Sequence, residues 1–256
     1  MPEQPRMRMG FVRPTPVVLA TLITLVAMFI VTAIVSRFDE GAFYRLLVLD
    51  PARFFPEHRY WTLFSAALLH SLMSPGHLVF NCLAFYFFGP DLETRWGVRK
   101  FIAFMLLAEL TGSLFVLSTH FLGLGSSPVV GASSITAGLI IAWAYTYPQR
   151  EIYFFFMLPL KGIHLVYVTL AFEILNALSL SSVSAASHFG GMLVGFFFGE
   201  MSPGRRFYLK LRLKHLQSQS AKVAGSGAAR GRSASPPLRL IHGGQKEPPK
   251  DKRFLN

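Results

Sequence analysis

Six stretches of this chain are too apolar and too poor in charge to stand in water, and nothing else limits its fold as much. They run over residues 17–36, 75–88, 101–122, 133–147, 163–179 and 187–201. A helix that crosses a bilayer needs roughly 20 mostly apolar residues. Several of these runs are shorter, so the spacing predicts a compact bundle whose helix ends lie inside the membrane. Composition agrees. Only 15% of the residues are charged and the mean hydropathy is +0.43, whereas soluble domains carry about 25% charged residues. The expected class is an all-α, six-transmembrane-helix membrane protein.

The expected organisation has three parts: an N-terminal segment over residues 1–16, a membrane domain over 17–201, and a basic tail over 202–256. The first apolar run is too long for the core of a signal peptide and lacks a small-residue cleavage pattern after it. It therefore reads as a retained anchor. Cys82 is the sole cysteine, which leaves no intrachain disulfide.

Orientation follows from lysine and arginine placement. Arg6, Arg8 and Arg13 precede the first run, Arg95, Arg99 and Lys100 follow the second, and Arg150 and Lys161 follow the fourth. On the opposite side, Arg37, Arg45, Arg53 and Arg59 are balanced by Asp39, Glu40, Asp50 and Glu57. Six spans then put both termini in the cytoplasm, and a bacterial inner (cell) membrane is the expected location. The tail carries thirteen Lys or Arg against Glu247 and Asp251. Rich in Ser, Gly, Ala and Pro, it reads as disordered. Its charge suits an anionic lipid surface, and no nucleic acid partner is expected.

Polar residues at membrane depth are functional candidates. Ser133 opens the fourth run in Gly131-Ala132-Ser133-Ser134-Ile135-Thr136-Ala137-Gly138. His188 lies near the start of the sixth in Ser187-His188-Phe189-Gly190-Gly191. His77 and Asn81, four apart and so on one helix face, lie near the start of the second. All fall at the outward ends of their helices. Gly191, Gly195 and Gly199 form a stripe that lets two backbones approach closely. If the fourth helix is the partner, Ser133 and His188 come within hydrogen-bond reach.

A serine hydroxyl is a weak nucleophile until a base takes its proton, and an imidazole supplies one. The backbone N–H of Ser133 is free at a helix start, and Asn81 and His77 can add donors to a developing oxyanion. No carboxylate occupies the outer ends of the second, fourth or sixth helices. The expectation is a Ser133–His188 dyad without an acidic third member. Taken singly, the pieces have plainer readings: a helix cap at Ser133, a hydrogen-bonded pair at His77 and Asn81, ordinary membrane packing for the glycines. Their conjunction at one depth puts catalysis level with a structural polar cluster. Glu173 and Asn176, inside the fifth run, read as packing or cavity-lining residues.

Other classes fare worse. His77-Leu78-Val79-Phe80-Asn81 lacks the Glu and second His of a zinc-protease helix. Asp39, Asp50, Asp91 and Asp251 lie in loops or tail, so no membrane-embedded aspartate pair exists. No line of charges marks a transport path.

The ordered series HLVFNCLAFYFFGPDLETRWG, GASSITAG and SHFGGMLVG closely resembles the rhomboid intramembrane serine proteases, over about residues 17–201. The resemblance implies a six-helix rhomboid-like bundle with a cavity opening outward, Ser133 as nucleophile and His188 as general base. It implies Asn81, His77 and the Ser133 backbone on the oxyanion side, transmembrane protein substrates within the lipid bilayer, and neither cofactor nor metal. It gives His70 a structural role and makes Glu93, Trp96 and Gly97 packing and loop residues. Two positions depart from the family pattern. Ser134 stands where glycine usually follows the nucleophile, and Ala137 stands where an aromatic usually stacks on the histidine. A rhomboid-like pseudoprotease that binds membrane clients without cutting them is the alternative.

Overall fold

The computed structural model describes residues 13–125, 127–154, 158–178 and 182–230. The chain divides into two compact units, Met1–Leu209 and Lys210–Asn256. The first holds α1 (Pro16–Val35), short helices α2 (Ala42–Leu47), α3 (Pro51–Phe54) and α4 (Thr62–Ser65) with a 3-10 turn at Ala66–Leu68, then α5 (Pro75–Trp96) and α6 (Val98–Phe121). There follow α7 (Ser133–Thr146), an antiparallel pair β1 (Glu151–Phe154) and β2 (Leu158–Lys161), α8 (Gly162–Leu178) and α9 (Ser182–Phe198). Helix α10 covers Pro203–Arg230.

Each apolar run is thus a helix. By length and composition, α1 and α6 are long and apolar enough to cross a membrane, while α7, α8 and α9 are shorter apolar helices. The outward faces are apolar: Ile23 is 61% exposed, Phe80 65% and Leu175 67%. Such faces are costly in water and neutral in lipid.

Helix α5 runs further than the expected 88, through Asp91-Leu92-Glu93-Thr94-Arg95. Its charged turn is satisfied from neighbouring elements. Asp91 accepts from Trp143 Nε1 at 2.8 Å and pairs with Arg150 at 2.7 Å. Arg95 pairs with Glu200 at 2.8 Å. Glu93, buried, accepts the backbone N–H groups of Val17 and Val18 at 3.0 Å each and the Thr15 hydroxyl. A carboxylate from α5 therefore caps the start of α1, where free N–H groups and the helix dipole favour negative charge. Trp96 stacks edge-on against Phe104 and tilts against Phe198, and Gly97, at φ +77°, turns the chain into α6.

The tail expectation is corrected over residues 203–230, which form α10. Pro203 sits at the first helical position and Leu, Lys, Arg and Gln dominate the next four turns. These are strong helix formers, and composition read as a whole hides that local run. Residues 231–256 lie outside the described set.

Helix α7 is the centre of the bundle. Ser133 to Leu139 and Ile141 to Ala144 are all buried, because α5, α6, α8 and α9 all pack on it. Its closest neighbour is α9. A Cβ at Gly191 would overlap the Ser134 carbonyl oxygen, one at Gly195 would overlap that of Gly138, and one at Gly138 would meet the Gly191 oxygen at 2.5 Å. The glycine stripe therefore faces α7, as the spacing suggests. Without a hydrophobic force between helices in lipid, such close contact supplies the association energy.

Candidate active site

The starts of α5, α7 and α9 and the last turns of α8 meet around Ser133. Ala132 occupies the cap position of α7 and makes no side-chain cap bond, so Ser133 is the first helical residue and its hydroxyl is not a cap. That hydroxyl lies 2.8 Å from His188 Nε2. The contact joins residues 55 positions apart, on α7 and α9. Ser133 is 8% exposed and the His188 side chain 15%, so the pair is sheltered yet reachable.

The other edge of the imidazole is occupied as well. His188 Nδ1 lies 2.8 Å from Glu173 Oε2, on α8. This corrects the expectation of a histidine without a carboxylate. Glu173 is 4% exposed, and Asn176, one turn on, donates to the same oxygen at 3.4 Å. Glu173 lies on the fifth apolar run, away from the ends of the second, fourth and sixth where a third member would be sought. A usable signal exists: α8 and α9 are consecutive antiparallel helices, with Glu173 five residues before the end of α8 and His188 six after the start of α9. Positions at similar distances from the facing ends of two consecutive antiparallel helices lie at a similar level.

Beside Ser133 a chain of hydrogen bonds links Thr136, Asn81 and His70. Thr136 Oγ1 donates to Asn81 Oδ1 at 2.9 Å, and Asn81 Nδ2 donates to His70 Nε2 at 3.0 Å. Asn81 is buried, and among the described residues its amide nitrogen donates to His70 alone. His70, fully buried in the approach to α5, fixes the amide orientation; its structural role thus has a specific content. His77 packs its ring 5.3 Å from that of His70 and brings its Cε1 edge against Gly131. Gly131 holds φ +108° and has no room for a Cβ against the His77 ring. This glycine lets a ring approach the backbone two residues before Ser133.

Ser134, the departure next to Ser133, points elsewhere. It is 1% exposed and its hydroxyl donates to the buried Glu109 carboxylate on α6. Pattern reading passes over Glu109, since a single acid in a 24-residue apolar helix has no spacing to mark it.

The chain also matches known proteins. A family model described as the rhomboid domain matches residues 57–202, more than half of the chain. The chain belongs to the rhomboid family. It is an integral membrane protein. It is 29% identical over 140 residues to "Rhomboid protease GluP" of Bacillus subtilis, covering 54% of this chain and 25% of that one. It is 26% identical over 155 residues to "RHOMBOID-like protein 12, mitochondrial" of Arabidopsis thaliana, covering 55% and 46%. It is 32% identical over 129 residues to "Rhomboid protein 1, mitochondrial" of Saccharomyces cerevisiae, covering 48% and 37%. The chain thus spans between a quarter and a half of the length of these relatives. The matched rhomboid region contains Ser133, His188, Asn81, His77 and Glu173.

Proposed function

We propose that this rhomboid is an intramembrane serine protease that hydrolyses peptide bonds of transmembrane substrates near the outer membrane face. The observation that carries the reading is the 2.8 Å contact between Ser133 Oγ and His188 Nε2 at the start of a buried helix. Ser133 Oγ attacks the substrate carbonyl as its proton passes to His188 Nε2, forming a tetrahedral oxyanion. The Ser133 backbone N–H, Asn81 Nδ2 and the His77 ring supply the donors. Collapse transfers the proton to the departing amine and leaves an acyl-enzyme on Ser133. Water activated by His188 then releases the acid and restores the hydroxyl.

The substrate must unwind at the cut, because a peptide bond within a helix is shielded by its neighbours. Six spans, both termini in the cytoplasm and a bacterial cell membrane complete the proposal, supported by the lysine and arginine distribution. The start of α7 faces outward on that topology.

Fluorophosphonate labelling of the purified protein tests the reading, with Ser133→Ala and His188→Ala as controls. Labelling of the wild type, lost in both variants, is the expected result. Equal labelling of Ser133→Ala ends the assignment. The pseudoprotease alternative rests on Ser134 and Ala137. It would show as client capture by the wild type and Ser133→Ala alike, with no cleavage by either.

A further inference from the structure

We infer that Glu173 is a positioning residue that orients His188 toward Ser133 and completes a Ser133–His188–Glu173 triad; the inference rests on the protease reading above. The imidazole is held at both nitrogens, by Ser133 Oγ at 2.8 Å and Glu173 Oε2 at 2.8 Å. An ionised carboxylate only accepts hydrogen bonds. The nitrogen facing it carries the ring proton, so Nδ1 is the donor and Nε2 keeps its lone pair toward the Ser133 hydroxyl. That tautomer is the one a general base requires.

Burial strengthens the argument. Glu173 is 4% exposed within an apolar helix, and a carboxylate there is costly unless it is paired. It is paired with the imidazole and the Asn176 amide, so the carboxylate is held where it can act on His188. Position 137, one turn along α7 from Ser133, is alanine and offers no ring to the imidazole. The hold on His188 comes from α8 instead.

In the reaction the Ser133 proton moves to Nε2 and the ring becomes an imidazolium. The Glu173 carboxylate accepts from Nδ1–H throughout and lies beside the cation that forms. The ring gives its Nε2 proton to the leaving amine and returns to the starting tautomer.

The test uses the full chain in lipid bilayers, with Glu173→Gln and Glu173→Asp beside wild type and Ser133→Ala. Glu173→Gln should lower kcat on a transmembrane peptide and the fluorophosphonate labelling rate by about 10²-fold or more, with KM within about threefold. Glu173→Asp should recover about tenfold of that loss. In 15N-histidine spectra of the wild type, the signal absent from His188→Ala should be an Nδ1–H tautomer. A Glu173→Gln variant that labels at the wild-type rate overturns the inference. So does an Nε2–H tautomer in the wild type, a measurement that needs no Glu173 variant to fold. A wild type that is neither labelled nor distinguished from Ser133→Ala refutes the protease reading instead, and the tautomer then decides the Glu173–His188 relationship alone.

Discussion

Gly191 of α9 lies directly on the backbone carbonyl of Ser134, in the first turn of α7, with no space for a side chain between them. The helix that carries His188 and the helix that carries Ser133 are therefore registered by backbone contact, three residues from the imidazole. Gly191→Ala should force the helices apart. Overpacking of a tight core costs typically about 1–3 kcal/mol. The unfolding midpoint in detergent should fall, and fluorophosphonate labelling should fall with it because the Ser133–His188 contact opens. Wild-type labelling in Gly191→Ala would show that the contact yields without moving the pair.

Ser134 and Ser133 should separate cleanly by mutation. The Ser134 hydroxyl is committed to Glu109, so Ser134→Ala removes a partner from a buried carboxylate and costs about 1–3 kcal/mol. Labelling should persist within about threefold of wild type. Loss of labelling in Ser134→Ala at unchanged stability would move the nucleophile to the wrong serine.

Asn81 joins Thr136 to His70, and the proposed mechanism uses its amide as an oxyanion donor. Asn81→Ala should reduce kcat by about 10²–10³-fold, as loss of an oxyanion donor does elsewhere, with a smaller change in KM. Steady-state kinetics on a transmembrane peptide read both quantities. A change confined to KM would make Asn81 a substrate-binding residue.

Glu93 caps α1 from α5 through Val17, Val18 and Thr15. Glu93→Gln keeps the shape and removes the charge, and should cost about 1–2 kcal/mol by thermal unfolding. Combined with Thr15→Ala, the loss should be less than additive, because the two share one contact. Full additivity would mean that the contact contributes nothing.

Much of the bundle is legible in the chain, because a helix in lipid announces itself by apolar length alone. The His77–Asn81 face and the glycine stripe are equally readable, since both rest on the 3.6-residue period. The carboxylate at His188 is not readable from its own helix: Glu173 acquires meaning only once α8 and α9 are folded back with their register set. Helix α5 runs past its apolar part because Asp91, Glu93 and Arg95 find partners on α7, α1 and beyond α9, which no local window contains. The Ser134–Glu109 pair is hidden for the same reason. Helix α10 is the converse case, where a local run of helix formers is masked by the polar composition of the residues after it.

The shortness of α7 sets a depth. Its 14 residues span about 21 Å, against a hydrocarbon layer of roughly 30 Å. Its last turn is moored to the charged end of the bundle, where Trp143 meets Asp91 and Arg150. With that end at one boundary of the hydrocarbon layer, as the proposed topology has it, the Ser133 hydroxyl stands about 9 Å beneath the opposite one. On the proposed reading, lipids with longer acyl chains raise that boundary and sink the hydroxyl further, so the thickness of the host bilayer sets how far a substrate peptide must descend to reach it.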